Sequence, residues 1–198
     1  MTDQPSKHRR RIILVGGFAL AIVAIVTGLS IYGRYYGKPR RFAVVQENTL
    51  YRSAQPTTHQ IDHLIKVAGL RSILIVREGT SKRVPNESEH AQSHGLNVLH
   101  IPVESRKPIP EHQVEAFFEF VDNPANQPVL VHCSAGRHRT GYLCGRYRIE
   151  RQGWTVEKAV QEMLSFEPDM DPERPVLQQL RRHEPSPTSP ERAVERPQ

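Results

Sequence analysis

The spacing of apolar residues divides the chain into stretches of different character. From residue 12 to 32 it reads IILVGGFALAIVAIVTGLSIY, 21 positions without a charge. A helix of that length covers about 31 Å at 1.5 Å per residue, enough for a bilayer core of ~30 Å. The stretch has no polar face to meet water, which argues against a buried core helix. It is also long for the apolar centre of a secretory signal peptide, although Gly28-Leu29-Ser30 imitates a cleavage site. The expectation is an uncleaved transmembrane helix at 12–32, between a basic segment at 1–11 and a basic linker at 33–41. Four Lys/Arg stand on each side of the run. The N-terminal set is denser and joined by the α-amino group, which places the N-terminus in the cytoplasm and the rest of the chain opposite.

From residue 42 the rhythm changes. Short runs of Val, Ile and Leu at 72–76, 96–101 and 129–131 read as buried strands. Helical patterns lie between and after them, at 57–68, 85–94, 110–121, 140–152, 155–166 and 172–182. In the third, Val114, Phe117, Phe118 and Val121 recur at three- and four-residue spacing and build an apolar face, with Pro110 suited to its first turn. Thr155 reads as an N-cap and Gly153 as the end of the preceding helix. Strands separated by helices predict an α/β domain over 42–183, a mostly parallel central sheet flanked by helices. From 184 the sequence is EPSPTSPERAVERPQ, rich in proline with little to bury, and reads as a disordered tail.

Composition narrows the class. The chain has 198 residues, 37% hydrophobic with 12 Gly, a slightly lean globular balance. Two Cys exclude a disulfide framework and a four-thiolate metal site. The ten His join neither Cys in a ligand spacing, so no metal is expected. The net charge of +6 invites a nucleic-acid reading, but residues 1–41 carry +7 and the other 157 residues −1. The basic character belongs to the N-terminus, and a nucleic-acid partner is not expected.

The chemistry concentrates in PVLVHCSAGRHRTG, residues 128–141. A buried strand ending at His132 is followed at once by Cys133, and six residues later by Arg139, Thr140 and a helix. Backbone N–H groups from Ser134, Ala135, Gly136, Arg137, His138 and Arg139 can turn inward at such a junction and form an anion-binding nest. Gly136 permits backbone angles that a side chain resists, and Arg139 can close on two phosphate oxygens with its planar fork. The same positive field lowers the pKa of Cys133, placing a thiolate at the bottom of a phosphate cradle, an in-line nucleophile for phosphorus. Cys144 lies among apolar neighbours on the following helix and reads as packing.

This arrangement resembles the cysteine-dependent protein tyrosine phosphatase superfamily, whose signature is His-Cys, five residues, Arg, Ser/Thr. It is matched by His132, Cys133, Arg139 and Thr140. With LYRSAQPT (50–57) and SILIVRE (72–78), HCSAGRHRTG looks most like the compact dual-specificity-like branch, which includes bacterial members and phosphatases of inositol pyrophosphates. The resemblance covers about residues 42–170. It implies a phosphatase-like α/β fold and a phosphocysteine on Cys133. Arg139 would stabilise the transition state, His132 orient the loop and depress the thiol pKa, and Thr140 assist the departing sulfur. Arg52 and Arg77 recur with the flanking segments, where they either help to build the site or form surface ion pairs. The substrate implied is a phosphorylated protein or an inositol phosphate, and no cofactor is needed.

One part of the pattern departs. The family supplies a general acid, usually Asp, from the segment after the strand that precedes the last helix before the signature. Here that segment, IPVESRKPIPEH (101–112), has no Asp. Glu104 is the first candidate and Glu111 the second, and either can be an ordinary surface carboxylate. A phosphate-binding protein without catalysis would share the cradle and lack the acid. A sulfurtransferase of the rhodanese type fits less well, because its usual Arg would fall at His138. Arg137 and His138 either meet a multiply charged substrate or face solvent.

Overall fold

The structure is a computed structural model that describes residues 7–78 and 83–185; the side chains of residues 7–16 and 34 lie outside that description. The chain divides into two compact units between Lys38 and Pro39. The first contains helix α1, Lys7–Tyr36. Phe18, Leu20, Val23 and Leu29 are exposed on it. The membrane span expected at 12–32 is not met within the described residues, among which no helix is long and apolar enough to cross a membrane. Most of the Pro-rich tail expected at 184–198 likewise lies outside the described residues.

The second unit is built on a five-stranded sheet. Its strands are β1 (Ala43–Gln46), β2 (Leu50–Ala54), β3 (Ser72–Val76), β4 (Asn97–Ile101) and β5 (Val129–Cys133). The order is β1-β2-β5-β3-β4, parallel throughout except for the antiparallel β1–β2 pair. The mostly parallel α/β sheet is as expected, and β3 matches its predicted limits. The first edge was missed, since β1 offers only Val44 and Val45 as apolar signal and is completed by pairing with β2. β5 runs one residue past His132, because Cys133 still pairs in register with Ala54 of β2.

Successive side chains of the central strands alternate between two cores. Ile73, Ile75 and Leu130 meet α2 (Thr58–Ala68) and α3 (Arg83–Ser93) through Ile61, Leu64, Val84 and Ala91. Leu74, Val76, Val129 and Val131 join the larger core under α4 (Glu111–Asp122), α5 (His138–Gln152), α6 (Val156–Ser165) and α7 (Pro175–Arg181). Both faces of the sheet are therefore dry, as a parallel sheet requires. Thr57 caps α2 reciprocally with Gln60, Thr155 caps α6, and Gly153 ends α5 in the left-handed conformation.

Helix α5 starts directly after the cysteine loop and is buried along most of its length. It comes close to its neighbours through glycine. A β-carbon on Gly141 would stand 2.9 Å from Met163 Cγ of α6, and one on Gly145 would stand 2.8 Å from Leu180 Cδ2 of α7. Gly145→Val is expected to destabilise the fold by about 1–3 kcal/mol through overpacking. A lower urea midpoint with unchanged slope is the readout; an unchanged midpoint contradicts the close packing.

Candidate active site

Parallel pairing places the end of β5 between the ends of β2 and β3, with Cys133 opposite Ala54 and His132 opposite Ile75. Residues 134–137 then turn away from the sheet into α5. Three consecutive carbonyls of this loop are held by groups outside it. Ser134 O accepts from the Gln55 backbone N–H at 3.3 Å. Ala135 O accepts from Arg41 Nη1 at 3.4 Å, and Gly136 O from Arg52 Nη2 at 2.9 Å. In a trans peptide the next N–H points opposite to the carbonyl, so the amides of Ala135, Gly136 and Arg137 are turned to the other side. The Gly136 N–H donates to Cys133 Sγ at 3.2 Å, in agreement.

Gly136 adopts φ +68°, and a β-carbon there would fall 2.4 Å from Ser53 O and 2.5 Å from Ala54 N. Only glycine fits both the backbone angle and the contact with β2. Cys133 is 2% exposed, which by itself disfavours a thiolate. Burial is outweighed by the hydroxyl and amide of Thr140, the Arg139 guanidinium and the Gly136 amide, so the thiol pKa lies below its ordinary value. Cys144 shows the contrary case: burial pushes its thiol up to about 12, as suits a packing residue.

Arg139 is almost wholly buried, and its Nη1 donates to Val103 O at 2.8 Å. The guanidinium is thus tied to the segment after β4, next to Glu104. The Glu104 carboxylate is exposed and pairs with Lys107 Nζ at 2.8 Å. Glu111, the second candidate acid, is gripped by both terminal nitrogens of Arg146, at 2.7 and 3.1 Å. Those hydrogen bonds hold its carboxyl below the usual range, against the effect of burial, so it stays ionised and is a poor proton donor. It lines a cavity of about 560 Å³ with Tyr142, Arg146 and His183, to which no loop residue from 133 to 140 contributes.

Arg137 and His138 do not simply face solvent. Arg137 Nη1 lies 2.6 Å from Glu167 Oε1, and His138 meets the other oxygen of that carboxylate. Arg174 Nη2 approaches His138 Nδ1 at 2.8 Å. Burial first, then Arg174, push the His138 pKa down. Arg52 donates directly to the loop at Gly136 O, whereas Arg77 reaches it only through Gln55. Arg52 is fully buried, with its guanidinium carbon 3.6 Å from the centre of the Phe166 ring.

Sequence reading missed the support beneath His132. This imidazole is fully buried and its Nε2 lies 2.6 Å from Oε1 of Glu87, itself 5% exposed on α3. Gln55 Nε2 donates to Glu87 Oε2 at 2.7 Å, and Arg77 donates to Gln55 Oε1. Burial opposes the imidazolium, but Glu87 outweighs it and raises the His132 pKa, with Cys133 adding to the rise. No local signal marks Glu87, which sits in the polar string RVPNESEHAQS; only the packing of α3 brings it to β5.

The family model described as "Tyrosine phosphatase family" matches residues 37–179. Inositol diphosphatase SIW14 of Saccharomyces cerevisiae is 32% identical over 122 residues, 59% of this chain and 42% of that protein. The chain thus spans less than half the length of the yeast relative. Inositol diphosphatase DSP4 of Arabidopsis thaliana is 30% identical over 138 residues, 68% of this chain and 67% of that one. The crystal structure of the SIW14 core catalytic domain with citrate superposes with a TM-score of 0.64 at 28% identity, covering 74% of this chain and 87% of that one. The crystal structure of a cysteine-to-serine variant of P. aeruginosa TpbA in complex with pTyr superposes at 0.53 and 25% identity, covering 67% and 83%.

Glu87→Gln removes the counter-charge of a buried imidazole. His132 then loses its proton more readily, and the neighbouring sulfur loses a cation. The pH midpoint for alkylation of Cys133 by iodoacetamide is expected to move upward, and an unmoved midpoint would show that the Glu87–His132 pair does not act on the thiol.

Proposed function

We propose that this chain, which belongs to the tyrosine phosphatase family in the atypical dual-specificity branch of the cysteine-dependent phosphatases, hydrolyses phosphoric monoesters through a phosphocysteine on Cys133. The observation that carries the reading is the loop itself. A buried thiol with a depressed pKa stands where three amides are turned inward and Arg139 closes the side.

The steps follow from these groups. The sulfur attacks phosphorus in line, forming the S–P bond as the P–O bond to the leaving group breaks. Arg139 and the amides of residues 135–137 hold the equatorial oxygens, where negative charge is spread. The leaving oxygen takes a proton from Glu104, next to the residue that Arg139 grips. Water then attacks phosphorus and gives its proton back to the Glu104 carboxylate as the S–P bond breaks; inorganic phosphate departs, and Thr140 donates toward the sulfur as it regains its charge. Thiolate, guanidinium and amides supply this chemistry from the chain itself.

The primary substrate reading is phosphotyrosine or another phosphorylated side chain of a protein. The family description and the TpbA structure with pTyr support it. A second reading, an inositol diphosphate, is supported by the rim of the cradle. Burial first, then Arg137 and Arg40, push the Arg41 guanidinium below its ordinary value, so positive charge is crowded beside Ala135. A polyanion relieves that crowding, and SIW14 and DSP4 are named inositol diphosphatases.

Attachment to a bilayer through residues 12–32 is a separate part of the proposal. It rests on the 21 uncharged positions within the continuous helix Lys7–Tyr36. Full-length chain retained in the membrane pellet through an alkaline carbonate wash supports it, and release into the supernatant removes it.

For the reaction, phosphate release is measured on a phosphotyrosine peptide and on an inositol pyrophosphate. Turnover of at least one, lost in Cys133→Ser, is expected, and the larger kcat/KM selects the substrate class. Glu104→Gln should remove the acid dependence of the rate on a substrate with a poor leaving group. No turnover of either compound would leave the chain a phosphate-binding protein.

A further inference from the structure

On the α2–α3 side of the sheet, three metal-ligating side chains converge. Asp62 projects from α2, His90 from the last turn of α3, and His94 from the turn that follows. His90 Nε2 lies 2.8 Å and His94 Nε2 3.6 Å from the same oxygen, Asp62 Oδ1, and one donor atom from each residue falls within 4.8 Å of the others. Donors at 2.0–2.2 Å around a tetrahedral ion stand roughly 3.3–3.6 Å apart, so the grouping needs only small side-chain adjustments.

His94 Nδ1 lies 2.9 Å from the carbonyl oxygen of His90, which can only accept, so Nδ1 is the donor there and Nε2 is the ring nitrogen turned to Asp62. The centre of the second ring lies 4.5 Å from that of His90, and its Nε2 faces the same carboxylate oxygen. One divalent ion can take a ring nitrogen from each histidine together with that oxygen. The three residues are partly exposed, which leaves water access to complete the coordination.

We propose that Asp62, His90 and His94 form a binding site for a divalent transition-metal ion of the zinc, nickel or cobalt class, with two imidazoles and one carboxylate as protein ligands. His90 and His94 stand four residues apart, and the carboxylate arrives from another helix. An ion bound there ties α2 to α3 three residues from Glu87, the residue that backs His132. The site stands apart from the phosphatase chemistry and does not depend on it.

The test uses untagged full-length chain carrying Cys133→Ser, so that the reactive thiol does not compete for metal. Titration with Zn²⁺ by calorimetry is expected to show one saturable site, with a higher Tm on saturation because only the folded chain assembles it. His94→Ala and Asp62→Asn, each added singly, should weaken binding by roughly tenfold or more and abolish the rise in Tm. His63→Ala, which removes a histidine outside the cluster, should leave both readouts unchanged. Absence of saturable binding, or binding that survives both His94→Ala and Asp62→Asn, would overturn the proposal.

Discussion

A sulfur atom with almost no access to water is held more acidic than an ordinary thiol, and much of the second unit is arranged around that demand. Removing a thiolate from solvent is unfavourable unless fixed dipoles and cations replace the lost hydration. Here the replacement consists of the Gly136 and Thr140 amides, the Thr140 hydroxyl and the Arg139 guanidinium. Two of these groups are already fixed by something else: Val103 O holds the Arg139 guanidinium, and Arg41 holds the carbonyl of the peptide that carries the Gly136 amide. The outward hydrogen bonds of Ser134, Ala135 and Gly136 are therefore as much a part of the cradle as the amides that line it.

The supports come from elements far apart in the chain. Arg41 and Arg52 reach the loop from the segment before β1 and from β2, Gln55 from the segment after β2, and Glu87 from α3. Each carries or balances charge close to or within the protein interior, where an unpaired ion is strongly unfavourable. Arg52 meets a carbonyl on one side and the Phe166 ring on another, while Glu87 meets both His132 and Gln55. The contacts at Glu87 reach the back of the cysteine loop, those at Arg139 its open side, and those at Glu167 its rim.

That division separates chemistry from recognition. The floor of the loop is enclosed and uses only parts common to any phosphoester. The rim carries Arg41, Arg137, His138 and Arg174; Glu167 pairs with Arg137 and His138, and Arg174 meets His138. In the proposed reaction, its surplus of positive charge would bear on which phosphorylated molecule is held, whereas the sulfur and its dipoles would bear on what is done to it.

Much of this was legible along the chain. The strand–Cys–loop–Arg–helix order, the glycine in the loop, the β3 strand, the Thr155 cap and the Gly153 terminator are set by neighbours within a few residues, so they appear in linear spacing. What the sequence could not decide depends on which distant segments meet. Glu111 stood as the second candidate acid until Arg146 of α5 was seen to hold it, and Glu87 carried no signal until α3 brought it to His132. The β1 edge appears only when β2 lies beside it. Sequence determined the chemical identity of the site, because a nucleophile and its anion nest occupy one continuous turn. Tertiary structure decided which charged partners meet, because burial and opposing ions come from elements whose proximity no local pattern encodes.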